Sequence, residues 1–106
     1  MSGRPIWVID GYNAIRRIPQ LDALFRSDMR RSREALVRHC RERMAGRRDL
    51  GGIWVVFDGS GAVADAGHAP AGLRVIFTRK GETADRRILD LIRDGRRGEF
   101  VVLIPK

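Results

Sequence analysis

Residues 6–13 have the sequence Ile-Trp-Val-Ile-Asp-Gly-Tyr-Asn, in which four large apolar residues are followed directly by an acidic residue and a glycine. Such a run, β-branched or aromatic throughout, predicts a short buried β-strand over residues 6–9, and Gly11 marks the exit from it. Asp10 then lies at the carboxyl end of a strand. Open α/β sheets bind their ligands at this edge, so the stretch indicates a fold class and the place of a site.

Three further apolar runs predict buried strands. They lie at residues 53–57, 73–77 and 100–104. Residues 29–45 and 83–94 place apolar side chains at helical spacing, with Asp28 and Thr83 as the expected N-cap residues. Strands that alternate with helices pair in parallel, and strands that are apolar on both faces belong to a sheet covered on both sides. The sequence therefore predicts an α/β fold.

Two segments have weaker patterns. Residues 21–25 suggest a short helix after a bend at Pro19, and residues 59–72, which are rich in Gly, Ala and Pro, suggest a loop. The chain has no internal repeat and no linker. We therefore expect residues 1–106 to form a single domain.

The composition is typical of a soluble globular protein, with 43% hydrophobic and 32% charged residues. No apolar stretch approaches the roughly 18 residues of a transmembrane helix, so no membrane partner is expected. The single cysteine, Cys40, cannot form an internal disulfide, and it lies on the apolar stripe of the predicted helix 29–45. These features predict a core cysteine and a reducing, cytoplasmic setting.

The net charge is strongly positive. The chain has 21 Lys and Arg residues against 13 Asp and Glu residues, which gives a formal charge of +8. Arginine binds phosphates through two hydrogen bonds and stacks on bases, so a nucleic acid is the first candidate partner. The alternative is that the arginines simply form a solvated surface.

Carboxylates occur at three places where predicted strands end or a helix begins. Asp10 ends the first strand, Asp58 ends the second, and Glu82 and Asp85 follow the third in the sequence Gly-Glu-Thr-Ala-Asp. If the strands are parallel, these side chains converge at one edge, where they provide the oxygen ligands that Mg²⁺ or Mn²⁺ prefers. Glu82 shares a helix face with Asp85 only if the helix begins near Glu82.

Polar and basic residues flank the acidic ones. Asn13 would hold a phosphate oxygen, a metal-bound water or the Asp10 carboxylate, or it would cap a helix that begins at Ala14. Two basic pairs are candidates for binding substrate phosphates. They are Arg16 and Arg17, and Arg79 and Lys80. The structural alternatives are an Asx-turn at Asp10, an ordinary turn at Asp58, a helix-dipole contact at Asp85 and solvated surface charges.

Three motifs together resemble a known family. They are Val-Ile-Asp-Gly-Tyr-Asn at 8–13, Val-Val-Phe-Asp-Gly at 55–59 and Val-Ile-Phe-Thr-Arg-Lys-Gly-Glu-Thr-Ala-Asp at 75–85. In this order they resemble the NYN domain proteins of the YacP-like group, in the PIN-like nuclease superfamily. The resemblance implies a Rossmann-like three-layer α/β/α sandwich with a mainly parallel sheet of about four strands. It also implies a metal-dependent ribonuclease whose acidic-site residues are Asp10, Asp58 and Asp85, with Asn13 and Glu82 adjacent.

The C-terminal residues depart from this family pattern. The family usually continues after the last strand with a Thr-Ser-Asp-like segment, a helix and a further strand, whereas here Phe100–Val102 is followed by Leu-Ile-Pro-Lys. We therefore expect a C-terminally shortened fold with one ligand fewer and an edge strand that a homodimer or another protein partner would cover.

These observations leave three hypotheses open. The first is an endoribonuclease that uses carboxylate-bound Mg²⁺ or Mn²⁺. The second is a catalytically weak or inactive module that binds RNA or associates with the ribosome. The third is a protein-interaction subunit of the same fold.

Overall fold

The computed structural model describes residues 4–59, 72–78, 81–94 and 100–103. The helices and strands of this part follow one another in the order β1 (Ile6–Asp10), α1 (Gly11–Arg17), α2 (Pro19–Ser27), α3 (Met29–Met44), β2 (Gly52–Phe57), β3 (Leu73–Phe77), α4 (Ala84–Asp94) and β4 (Phe100–Leu103). All four predicted strands and both long predicted helices are present. The predicted loop at 59–72 lies outside the described residues except at its two ends.

The four strands form one parallel sheet in the order β3-β2-β1-β4. The strand β1 therefore lies inside the sheet, between β2 and β4. Its register with β2 pairs Asp10 with Val56, so Asp58 lies only two residues beyond the partner of Asp10. Parallel pairing in this register places the carboxyl ends of β1 and β2 at the same edge of the sheet.

Helices cover both faces of the sheet. On one face, α1 and α3 bury Ile15 and Leu36 against Val55 and the other side chains of a large apolar core. On the opposite face, α4 buries Ala84 and Ile88 against Val8 and Val56 of the sheet. Burial of each large aliphatic side chain contributes roughly 1.5–3 kcal/mol. The predicted three-layer α/β/α sandwich is confirmed.

Local capping chemistry begins the two long helices as expected. The Asp28 Oδ1 atom accepts a hydrogen bond from the Arg31 backbone N–H at 3.1 Å at the start of α3. The Thr83 Oγ1 atom accepts one from the Arg86 N–H at 3.2 Å at the start of α4. In both cases a side-chain oxygen satisfies a backbone donor that has no partner within the helix. Among the described residues no helix is long and apolar enough to cross a membrane.

The segment after β1 differs from the sequence expectation. Asn13 does not cap a helix that begins at Ala14; the helix α1 begins at Gly11, and Asp10 is its N-cap. Pro19 does not merely bend the chain but is the first residue of α2, which extends well beyond the expected 21–25. Proline suits this first position because its missing N–H would have no partner there and its fixed φ is already helical.

Cys40 is buried in the core on the inner side of α3. Burial raises the pKa of its thiol to about 11, since the charged thiolate is disfavoured away from water. The prediction of a core cysteine rather than a nucleophile is therefore consistent with its surroundings.

Gly11, the first residue of α1, packs too closely against Phe57 to accommodate a side chain. It is buried directly after Asp10, and a Cβ atom at this position would overlap the ring of Phe57. We expect Gly11→Ala to lower the free energy of unfolding by about 1–3 kcal/mol through overpacking, although alanine is the better helix former. Urea denaturation measures this effect.

Phe57→Leu provides the control because it removes the ring that the new methyl group meets. The double variant Gly11→Ala/Phe57→Leu should lose less stability than the sum of the two single variants. Strict additivity would contradict the steric explanation.

Candidate functional site

A cleft of about 550 Å³ opens at the carboxyl edge of the sheet. Its walls come from α1, α2, α3, the turn after β2 and the start of α4. The lining residues are Asp10, Tyr12, Asn13, Arg16, Phe25, Met29, Asp58, Thr83 and Asp85. Three aspartates from distant parts of the sequence thus share one cleft, together with Asn13 and Arg16.

Asn13 holds the carboxylate of Asp10 at both oxygens. The Asn13 backbone N–H donates to Oδ1 at 3.3 Å, and its side-chain Nδ2 donates to Oδ2 at 3.1 Å. The first contact is the N-cap of α1. Of the alternatives that the sequence left for Asn13, the structure shows the contact with the Asp10 carboxylate. Asp10 is therefore oriented by the helix that follows it.

Asp58 is tied to the start of α4. Its Oδ1 atom accepts a hydrogen bond from the Ala84 backbone N–H at 2.5 Å. The next residue, Gly59, has a φ of 89°, a conformation that glycine adopts without steric penalty, and its N–H donates to Thr78 Oγ1 at 2.8 Å. The turn after β2 is therefore anchored to the neighbouring strand and to α4, which also delivers Asp85.

The surroundings of Asp10 make its carboxylate harder to ionise. The pKa of Asp10 is raised above its ordinary value of 3.8, mainly because burial disfavours the charged form. The negative charges of Asp85 and then Asp58 raise it further, while the hydrogen bond from the Asn13 backbone acts in the opposite direction. A cation placed among these groups would relieve both the burial penalty and the repulsion.

An aromatic wall supports the cleft behind Asp10. The ring of Tyr12 lies 5.7 Å from that of Phe25 and 5.1 Å from that of Phe57. Its hydroxyl accepts a hydrogen bond from Arg33 Nη1 at 3.2 Å and donates to Met29 Sδ at 3.7 Å. The sequence analysis missed Phe25, Met29 and Arg33, because α2 and α3 bring them to Tyr12 only when the chain folds back.

Some candidate residues lie elsewhere. Arg17 is exposed in the last turn of α1 and does not line the cleft. Glu82 precedes α4, which begins at Ala84, so the condition under which it would share a helical face with Asp85 is not met. Glu82 does not line the cleft either. Arg79 and Lys80 lie outside the described residues.

The donor chemistry of the cleft fits a hard divalent ion. In the described part of the chain, no three Asp, Glu, His or Cys side chains form a group that could together hold a metal. Mg²⁺, however, commonly takes only one or two protein carboxylates and keeps several waters. A cleft with three aspartates and room for water meets this smaller requirement.

The sequence model of the YacP-like NYN domain matches residues 7–104. The chain belongs to this family. The expectation drawn from the three motifs is thereby confirmed. The family has an RNase-type nuclease fold.

Two solved structures are similar to the chain over most of its length. The crystal structure of Rae1 (YacP) from Bacillus subtilis is 29% identical, with a TM-score of 0.74, over 92% of this chain and 56% of that one. A tryptophan-to-leucine mutant of the same protein is 30% identical, with a TM-score of 0.69, over 92% and 57% of the two chains. The chain thus spans just over half of the length of Rae1. No curated protein sequence shows significant similarity to it.

The raised pKa of Asp10 predicts a stability that depends on pH. The folded state holds a proton at Asp10 more tightly than the unfolded chain does, so stability falls as the pH rises from 3.8 through the raised pKa. We expect Asp10→Asn to be more stable than the wild type above this window and equal to it below, because asparagine is an equally good N-cap but carries no charge. Thermal unfolding across the acidic range measures the difference.

Two substitutions on α4, Asp85→Asn and its control Asp90→Asn, test whether the charge of Asp85 raises the pKa of Asp10. Asp85 repels the Asp10 carboxylate, whereas Asp90 pairs with Arg86 and is not among the causes of the shift. The Asp10 pKa, followed by carboxyl-carbon NMR, should fall in Asp85→Asn and stay constant in Asp90→Asn. Equal values in both variants would contradict a shared electrostatic field.

Proposed function

We propose that the protein is an endoribonuclease that cleaves RNA phosphodiester bonds with a carboxylate-bound Mg²⁺ or Mn²⁺. The observation that carries the proposal is the convergence of Asp10, Asp58 and Asp85 in one cleft of a chain whose family has an RNase-type nuclease fold. The net charge of +8 supports a polyanionic substrate, since basic residues outside the cleft attract the phosphate backbone.

Asp10 and Asp85 are the proposed direct ligands of the metal, and Asp58 would complete the shell through a metal-bound water. When bound, a divalent ion supplies a more acidic water and neutralises charge on the phosphodiester. The Asp10 carboxylate is oriented by Asn13, and the Asp58 carboxylate is held at Oδ1 by the backbone N–H of Ala84. Glu82, which does not line the cleft, would act only from its rim.

Binding of the strand is assigned to basic residues around the cleft. Arg16 lines it and is the nearest candidate for a phosphate contact. Arg17 lies on the same helix turn but outside the cleft, where it would contact a neighbouring phosphate. For Arg79 and Lys80 the same role rests on the sequence alone. The wall formed by Tyr12 and Phe25 gives a base an aromatic surface beside the carboxylates.

The direct test is cleavage of labelled single-stranded RNA by the purified chain, with Mn²⁺ or with a chelator. We expect cleavage only with the metal, and a loss to background in Asp10→Asn and Asp85→Asn because each removes a charged ligand. Asp90→Asn should cleave like the wild type, since Asp90 is paired with Arg86 and does not line the cleft.

Other outcomes would support the other hypotheses. Salt-sensitive RNA binding without metal-dependent cleavage would replace the nuclease with a binding module of the same fold. A stable dimer or heteromer with neither activity would instead favour an interaction subunit. Cleavage that persists in Asp10→Asn would show that the acidic cleft is not the active site.

Asn13 is proposed as a positioning residue for Asp10. Asn13→Ala removes the Nδ2 donor but keeps the backbone N–H, so α1 remains capped. We expect about a 10–100-fold weaker affinity for Mn²⁺, as for other residues that orient a metal ligand. The metal-induced rise in the unfolding temperature provides a readout that does not depend on turnover. An unchanged metal response would rule out the positioning role.

A further inference from the structure

A second depression lies between α2 and α3, away from the acidic cleft. This α2–α3 groove has a volume of about 400 Å³ and an open mouth. Its lining residues are Ile18, Gln20, Leu21, Ala35, Arg38, His39 and Glu42. Apolar side chains from both helices thus lie beside polar and cationic groups.

The groove and the cleft occupy opposite ends of the same helices. At the cleft end, Phe25 lies near the end of α2 and Met29 begins α3; at the groove end, Leu21 and Arg38 lie on the same two helices. The helix α1 connects the two places, because it starts beside Asp10 and ends immediately before Ile18. Its seven residues span about 10 Å, which is the length of a few nucleotides.

Cationic residues mark the path between them. Arg16 lines the cleft, and Arg17 follows it in the last turn of α1, directly before Ile18 of the groove. Arg38 stands on the groove itself. In the described part of the chain Arg38 forms no ion pair, whereas Arg26 pairs with Asp22 and Arg30 pairs with Glu34 on the same two helices. The charge of Arg38 is therefore available to an external anion.

The chemistry of the groove suits a single-stranded nucleic acid. A guanidinium contacts a phosphate, and the apolar side chains of Leu21 and Ala35 give a base an apolar surface to pack against. Glu42 is the one carboxylate in the lining and opposes such a ligand. The groove thus contains one group that attracts the backbone and one that repels it, which makes the inference testable in two directions.

We propose that the α2–α3 groove is an accessory site for the RNA strand that flanks the phosphodiester in the acidic cleft. The proposal rests on the proposed function for its reaction, but its binding chemistry stands independently. A strand that crosses α1 contacts Arg16 and Arg17 and then Arg38. Short substrates that fill only the cleft do not use the groove.

The test measures binding of a labelled single-stranded RNA of about 12 nucleotides to the full chain, in chelator, over a range of salt concentrations. We expect Arg38→Ala to weaken binding several-fold and to reduce the slope of log K against log salt by about 0.7, the value for one phosphate contact on a single strand. Glu42→Gln should tighten binding. Arg93→Ala, in the last turn of α4 on the opposite face of the sheet, is the matched control and should leave both quantities unchanged.

The outcomes separate this proposal from the nuclease itself. If Arg38→Ala and Glu42→Gln shift the affinity for RNA in opposite directions but no variant cleaves RNA, the accessory site is supported and the nuclease proposal is contradicted. If the chain cleaves RNA with metal while Arg38→Ala binds the long RNA like the wild type, the nuclease is supported and the accessory site is contradicted. If Arg93→Ala weakens binding as much as Arg38→Ala does, the effect comes from net charge alone and the accessory site is wrong.

With active protein, substrate length gives a second readout. Arg38→Ala should raise KM for an RNA of about 12 nucleotides and leave kcat unchanged, because the groove binds the strand away from the reacting atoms. The same variant should cleave an RNA of about 2 nucleotides, which is too short to cross α1 from the cleft to the groove, like the wild type. An equal loss for both lengths would contradict an accessory site.

Discussion

The parallel pairing of β1 with β2 is the constraint on which the rest of the structure depends. Its register sets Asp10 against Val56 and so brings the two strand ends to one edge. Because both strands are apolar on both faces, helices must cover the sheet on each side, and the chain has to leave each strand at its carboxyl end to form them. The same topology that buries the core thus places polar turn residues together.

The acidic edge is held by interactions that also define secondary structure. Asp10 caps α1, and Asp58 accepts a hydrogen bond from the first residue of α4. Each carboxylate therefore has a local structural role, which is why the structural and functional interpretations of these positions do not exclude each other. The pKa of Asp10 is nevertheless raised, because the hydrogen bond at the helix cap does not offset burial beside two like charges. Perturbed pKa values of this kind are common where a protein is organised for binding rather than for stability.

Sequence reasoning succeeded where the deciding physics is local. The strand ends at Asp10 and Asp58 follow from continuous apolar runs, and the caps at Asp28 and Thr83 follow from side-chain oxygens placed before helical patterns. It misplaced the start of α1, which one alternative put at Ala14, because a glycine at the start of a helix has poor intrinsic propensity and this one is stabilised by packing against Phe57. The contacts of Phe25 and Arg33 with Tyr12 in the wall of the cleft could not be predicted either, because they form only when the chain folds back through α2 and α3. The position of Glu82 depended on where α4 begins, and helix boundaries are the least certain part of any sequence interpretation.

The distribution of charge suggests an order of events for a polyanionic ligand. Three aspartates make the empty cleft repulsive to phosphate, whereas Arg17 and Arg38 lie outside it. A strand would therefore meet the arginines first and approach the carboxylates only when a cation has reversed the local field. On this view the cation and the strand bind cooperatively at the cleft but independently at the α2–α3 groove. In the proposed nuclease, the carboxylates that attract the ion would therefore also repel the phosphates of the substrate until the ion is bound.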